Sequence, residues 1–276
     1  MIAPSPPTFP PRRSKFPIVP SAATATRAAL KRLEDFAFEQ SVQPLQYSCT
    51  IRVGSAADEI DSVACKVGTD LIAIATRGYT GLKYAFLGST TASVVRTAPC
   101  PVLVVRELEY VSVGERARRG RTPLHFKKVL VPLDFSECSR VGIEYALGVA
   151  REFRSSLLLF HSVVAQIYPI GDEYTALEGP NLIKLQEEYA EEEMEKLRLE
   201  LARKSVKVEM AIGLGSPAEQ INECVRSHRA DLIVTSTHGR TGLKRVLIGS
   251  TAEQIIRHSI CPVLVVPNQK EAAKHR

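Results

Sequence analysis

The sequence predicts an α/β protein: an open parallel five-stranded sheet with helices on both faces in the C-terminal half, and a partial copy of the same fold before it. Two observations carry that prediction. Asp70–Val105 (DLIAIATRGYTGLKYAFLGSTTASVVRTAPCPVLVV) recurs 161 residues later as Asp231–Val266 (DLIVTSTHGRTGLKRVLIGSTAEQIIRHSICPVLVV). Aligned without gaps from Gly54 and Gly215, the copies share 23 identities over 52 positions, which marks a duplicated domain. Short apolar runs also alternate with amphipathic stretches after residue 126, as strands covered on both faces by crossover helices should.

In the C-terminal copy, Lys128 to Leu133 (KVLVPL) reads as the first strand and Cys138 to Phe153 as an amphipathic helix. Ser156 to Val164 (SLLLFHSVV) is a second, almost wholly apolar strand. A loop holding Pro169, Gly171 and Gly179 then leads to a long helix, Asn181 to Lys204, laced with Glu-to-Lys/Arg pairs at i,i+4. Val206 to Gly213 is the third strand, and Ser216-Pro217-Ala218-Glu219 opens a helix with Ser as N-cap, Pro at N1 and Glu at N3. Leu232 to Thr235, Ser250 to His258 and Val263 to Val266 are the fourth strand, a helix and the fifth strand.

The N-terminal copy has only the later pieces. Ala22 to Phe38 matches the long helix and Tyr47 to Val53 the third strand. Ser55 to Lys66, Leu71 to Ala75, Ser89 to Thr97 and Val102 to Val105 follow in order, while two strands and one helix have no counterpart. The expected organisation is a Pro-rich tail (1–20), a partial domain (21–106), a basic linker (107–125), a complete domain (126–268) and a short tail (269–276). Three readings of the partial copy stand side by side: its remaining strands close up as neighbours, another chain fills the gap, or the start of the sequence is misplaced.

The net charge of +6 is concentrated in two places. Residues 1–33 carry six Lys/Arg and no acid, and residues 106–128 carry seven basic and three acidic residues, so the rest is net acidic. A nucleic-acid reader more often carries its basic footprint on the folded scaffold, so no specific nucleic-acid partner is expected. No apolar run approaches the ~20 residues of a membrane helix, and residues 1–20 lack a signal-peptide core. Seven prolines in those residues favour an extended tail over an organellar transit peptide. Six scattered cysteines without C-x-x-C read as core thiols in a reducing cytoplasm.

The chemistry-bearing cluster is Ser236-Thr237-His238-Gly239, followed by Gly249-Ser250-Thr251. Gly239 lies just beyond the fourth strand and Gly249-Ser250 at a helix start, both at the carboxyl edge where open α/β sheets bind ligands. Glycines allow close backbone approach, and helix N–H groups with the Ser250 and Thr251 hydroxyls suit a phosphate. The same residues fit a plain capping box, Ser250-x-x-Glu253, about as well. Asp134 at the end of the first strand can accept from a sugar hydroxyl or exocyclic amine, or cap the next helix through Asp134-x-x-Glu137. His161 reads as a hydrogen-bonded core histidine, and His238, opposite Arg77 in the repeat, as an anion-disposed donor. No P-loop, dinucleotide fingerprint or G-x-S-x-G elbow is present, which argues against those enzyme classes.

KKVLVPLDFSE, LLLFHSV, GSPAEQI and STHGRTGLKRVLIGSTAEQIIRHSICPVLVV resemble the universal stress protein family, over Phe126 to Pro267 fully and Ala22 to Val105 in part. The resemblance implies strand order 3-2-1-4-5, pairing through fifth strands, and, in some members, ATP held by a G-2x-G-9x-G-[ST] loop. Carried over by position, it makes Asp134 the acidic residue near the nucleoside and Ser162 the backbone contact to adenine. Thr235, Ser236, His238, Gly239, Gly249, Ser250 and Thr251 complete the cofactor-binding set. Ser236 stands where the pattern has its first glycine. What the resemblance implies is a cytoplasmic stress-response factor that binds adenine nucleotide, ATP with Mg2+, at one site per chain. Its partner would be adenine nucleotide, with an intrachain pseudo-dimer through the fifth strands, a homodimer as further association, and no membrane. The alternatives are a nucleotide-free dimerisation module and a weak ATPase.

Overall fold

A computed structural model describes residues 22–40, 46–76, 87–105, 125–164, 168–170, 173–175, 180–237 and 249–267. The chain divides into two units, Met1–Val53 and Gly54–Arg276. In the first, α1 spans Ala22–Gln40. Residues 46–53 form no strand, contrary to the expectation for Tyr47 to Val53. The apolar alternation of YSCTIRV is real, but a strand exists only where a neighbour completes its ladder, and no described strand pairs with these residues. Tyr47 and Val53 are accordingly exposed.

The second unit begins with α2 (Ala56–Val67), β1 (Ile72–Ala75), α3 (Ser89–Thr97) and β2 (Val102–Val105). From residue 125 on come β3 (Lys128–Leu133), α4 (Glu137–Phe153), β4 (Ser156–Val163), and a hairpin of β5 (Tyr168–Ile170) with β6 (Glu173–Thr175). The hairpin sits where the prolines and glycines predict only loop. Then follow α5 (Pro180–Ala202), β7 (Val208–Leu214), α6 (Pro217–His228), β8 (Leu232–Ser236), α7 (Ser250–His258) and β9 (Val263–Val266).

One seven-stranded sheet runs β1-β2-β9-β8-β3-β4-β7. Its C-terminal five strands have the expected order 3-2-1-4-5 and are parallel throughout. The sheet does not end at β9, however. It continues into β2 through an antiparallel junction, Val102↔Val265, Leu103↔Leu264 and Val104↔Val263, and β1 then pairs parallel to β2. The sheet is therefore mixed and spans both copies.

Strand alternation sends side chains to two cores. On one face Val129, Val131, Leu157, Leu159 and Val234 pack under α4, with Met194 and Leu201 of α5 in the same core. On the other, Leu130, Leu158, Ile233, Val263 and Val265 pack with Ile221 and Val225 of α6 and Ile255 and Ile256 of α7. Val94, Val95, Val102 and Val104 of the partial copy belong to that same cluster. The duplicated fragment is thus built into one hydrophobic core with the complete copy.

The parallel ladder between β3 and β8 holds only Val129↔Leu232 and Leu130↔Ile233, and ends before Pro132. Proline has no N–H to give a ladder, so its place beyond the last paired residue fits strands that are already parting. From β3 the chain moves to β4 on one side, whereas β8 lies on the other. That reversal is the switch point at which open α/β sheets form a crevice.

Candidate ligand cleft at the sheet's carboxyl edge

A cleft of about 260 Å³ opens at this switch point, lined by Asp134, Ser162, Thr235, Ser236, Ser250 and Thr251 among others. It lies just below the ~300–1,000 Å³ usual for small-molecule sites. Gly249 also lines it, while His238 and Gly239 lie outside the described residues.

At the β3 end, Asp134 Oδ1 accepts from the Ser136 backbone N–H at 3.0 Å, fixing the carboxylate in a local turn. Phe135 takes the left-handed conformation, φ 60°, to complete it. The N-cap of α4 is Ser136, whose Oγ accepts from the Ser139 N–H at 3.2 Å. The expected Asp134 capping box does not form, because the cap falls two residues later.

His161 Nδ1 lies 2.8 Å from the Leu133 carbonyl, and since a carbonyl only accepts, that nitrogen carries the hydrogen. Its ring lies 4.6 Å from that of Phe135. The expected hydrogen bond is present, but the residue is half-buried at the cleft wall and not deep in the core. Ser162 Oγ donates to the Gly215 carbonyl at 2.9 Å, tying β4 to the turn after β7. Gly215 has φ 122°, a region closed to most side chains, and a Cβ on Gly213 would come within 2.9 Å of the Phe160 ring.

The far wall is made by β8 and α7. Thr237 donates its N–H to Val266 O at 3.1 Å, and its own carbonyl accepts from the Gly249 N–H at 2.8 Å. Those two bonds pin both ends of the intervening segment. Gly249 is the N-cap of α7, with no side-chain cap, and the first intrahelical bond runs from Glu253 N to Gly249 O at 3.0 Å. The N–H groups of Ser250, Thr251 and Ala252 therefore have no intrahelical acceptor, as at every helix start. Glu253 instead pairs with Arg257 at 2.6 Å, so the Ser250–Glu253 capping box is absent. At α6 the expected N-cap, Ser216, and the proline in the first turn are both observed, without a side-chain cap bond. Thr235 and Thr237 are buried, and Ser236 is half-buried on the face that carries Leu232 and Val234, under α4.

The partial copy repeats the frame. Thr76 N donates to Val105 O and Gly88 N to Thr76 O, both at 3.0 Å. A Cβ on Gly88 would sit 3.2 Å from that carbonyl. Thr91 Oγ1 donates to Ala75 O at 2.8 Å, where the complete copy has Ala252. Nothing in the partial copy corresponds to Asp134 or Ser162.

Sequence reasoning placed Thr237 in the loop cluster but left it out of the binding set, and missed Ser139, Pro217 and Ile221 as lining residues. Thr237 left a signal, since Thr76 is its identical counterpart. The other three face the cleft only because α4 and α6 start beside it, which no local pattern states.

A profile described as the Universal stress protein family matches residues 5–106 and 125–267. Universal stress protein MJ0531 of Methanocaldococcus jannaschii is 31% identical over 170 residues, covering 62% of this chain and 98% of that protein. Universal stress protein MJ0577 of the same organism is 31% identical over 153 residues, covering 51% and 94%. Among solved structures, a universal stress protein from Archaeoglobus fulgidus superposes with a TM-score of 0.65 at 20% identity, covering 90% of this chain and 83% of its own. A Pseudomonas aeruginosa protein of unknown function gives 0.59 at 21% identity, covering 90% and 80%. With both copies matched, the chain belongs to the universal stress protein family.

Proposed function

We propose that the chain is an adenine-nucleotide-binding stress-response factor, with ATP and its Mg2+ as bound effector and one site per chain. The observation that carries this reading is the convergence, at one switch-point cleft, of a fixed carboxylate, Asp134, with the helix start at Ser250 and Thr251. Asp134 would face the nucleoside and Ser162 the adenine, while Thr235, Ser236, His238, Gly239, Gly249, Ser250 and Thr251 would hold the ribose and phosphates. The unpaired N–H groups at the start of α7 favour negative charge there. Mg2+ would enter with the phosphates. The partial copy lacks the nucleoside end and takes the role of structural companion.

In the same reading, residues 21–106 form the partial domain and 126–268 the complete one, joined by the linker 107–125 and flanked by tails 1–20 and 269–276. The β2–β9 junction serves as the intrachain equivalent of fifth-strand pairing, leaving a homodimer to other surfaces. All six cysteines are free thiols, which agrees with a cytoplasmic location. No helix among the described residues is long and apolar enough to cross a membrane.

The test is direct. Purified protein is denatured and the supernatant analysed for adenine nucleotide, and stripped protein is then titrated with ATP·Mg by calorimetry. One nucleotide per chain is expected, lost in Gly249→Val. A chain that takes up no nucleotide, or two at equivalent sites, refutes the reading. The second reading, a nucleotide-free interaction module, draws on Ser236 in the cleft wall, and restoration of uptake only by Ser236→Gly would favour it.

A further inference from the structure

At the opposite edge of the sheet, where the parallel strands begin, a second concavity of about 620 Å³ is lined by Lys127, Arg151, Arg154, Lys204 and Lys207. They come from four places: the starts of β3 and β7, the end of α4, and the turn after α5. No carboxylate lines it among the described residues. Lys204 and Lys207 are each paired at the rim, with Glu200 at 3.4 Å and Glu209 at 3.2 Å. The side chains of Lys127, Arg151 and Arg154 have no carboxylate within ion-pair distance among the described residues, and the Asp231 carboxylate beside Lys127 accepts from its backbone N–H at 2.8 Å.

The ordinary reason for cations at helix C-termini is the macrodipole and its exposed carbonyls. Here the backbone already caps those carbonyls. The Arg154 N–H returns to Ala150 O, Ser155 N donates to the same oxygen at 3.0 Å, and Lys204 N and Ser205 N reach Leu201 O and Ala202 O at 2.9 and 3.1 Å. Lys127 and Lys207, at strand starts, face no helix dipole of their own. The five positive side chains are thus gathered around a hollow with few local partners.

We propose that this basic hollow binds linear polyphosphate. The two guanidinium groups, of Arg151 in the last turn of α4 and of its C-cap Arg154, can each fork onto phosphoryl oxygens, and the lysines supply point charges along the remaining length. A single small anion would not engage cations spread over four elements. Single-stranded nucleic acid recognition relies on aromatic platforms for the bases, and no aromatic ring lines the hollow among the described residues. The match is therefore to a chain of phosphates without bases.

The experiment titrates sodium tripolyphosphate into the full chain by calorimetry at low and moderate salt. It is repeated with an Arg151→Gln/Arg154→Asn double variant and with Gly249→Val. Asn suits the left-handed backbone at 154, where φ is 55°, so the fold is expected to survive, with circular dichroism as the check. The expected result is saturable binding that weakens with salt and falls at least about tenfold in the double variant, since each loses a charge-assisted contact. Gly249→Val should bind tripolyphosphate normally, and the double variant should take up ATP normally. The proposal is overturned if wild type does not bind or if the double variant binds as tightly as wild type. Loss in Gly249→Val alone would place the phosphates in the carboxyl-edge cleft, and an oligodeoxynucleotide of equal charge binding as tightly would make the site a nucleic-acid surface. Either outcome also overturns the proposal.

Discussion

Val102 and Val265 are each 1% exposed and lie directly opposite one another across the antiparallel β2–β9 junction. Truncating either to alanine removes two methyl-sized groups from a core shared with Val94 and Ile255. At ~0.8 kcal/mol per buried methylene, with a term for the cavity left behind, each single variant should lose about 2 kcal/mol. Because the two side chains touch across the strands, the double variant should lose less than the sum, by about 0.5–1 kcal/mol. A matched pair, Val102→Ala with Val129→Ala, combines sites on opposite faces of the sheet and should be additive to within ~0.3–0.5 kcal/mol. The chain has no tryptophan, so urea unfolding is followed by far-ultraviolet circular dichroism. One cooperative transition with a measurable coupling is expected. Two transitions, with Val102→Ala moving only one of them, would refute the idea that the partial copy shares the core of the complete one.

Three further outcomes follow from particular residues. Arg229 closes α6 at φ 55°, where the repeat has Gly68 at φ 65° in the same role, so Arg229→Gly should stabilise by about 1 kcal/mol, read from the urea midpoint. Glu209 accepts from Lys128 at 2.6 Å, which holds its carboxyl below the ordinary carboxylate range despite partial burial, and Lys207 adds to the effect. A carboxyl depressed by folding contributes stability that is present at neutral pH and lost as pH falls through its lowered pKa, so Glu209→Gln should flatten the acid limb of the stability profile. Burial pushes the Cys224 thiol up to about 11, and Cys65 is exposed, so iodoacetamide at pH 8 should modify Cys65 well before Cys224, as read by peptide mass spectrometry.

Repeat and periodicity made most of the fold readable. The bounds expected for β3, α3, β2, α7 and β9 are those observed, because each is a short apolar or amphipathic run closed by a glycine, a proline or a polar turn. Tyr47 to Val53 failed for the opposite reason: its pattern is local, but strand formation depends on a neighbour that only the whole topology supplies. The capping boxes at Asp134 and Ser250 failed because the caps fall on neighbouring residues. At Asp134 the neighbouring Ser136 took the cap, and at Ser250 the N-cap is Gly249, while Glu253 pairs with Arg257. In the cleft, residues on strand ends were legible because parallel strands must deliver them to one edge. Thr237 was legible from its place in the repeated loop beside Ser236, and Ile221 not at all, since the packing of α6 against β4 is what brings it there.

The antiparallel junction also explains why a fragment with two strands can be tolerated. A fifth strand reading VLVV at the sheet's margin would present unpaired backbone groups and apolar side chains to water, an invitation to association. In this chain β2 occupies that margin, and Val263, Leu264, Val265 and Val266 are all buried. The exposed margin is moved outward to β1, where Ala73 and Ala75 are exposed and present little apolar surface. The strands of the partial copy among the described residues thus include the one that covers β9. The retained helices α2 and α3 add their apolar sides to the core under α6 and α7. α7, whose first turn faces the cleft, contributes Ile255 and Ile256 to the same buried cluster as Val94, Val95 and Val102 of the partial copy. Loosening the partial copy should therefore be felt at Ser250 and Thr251, although no residue of that copy lines the cleft among those described.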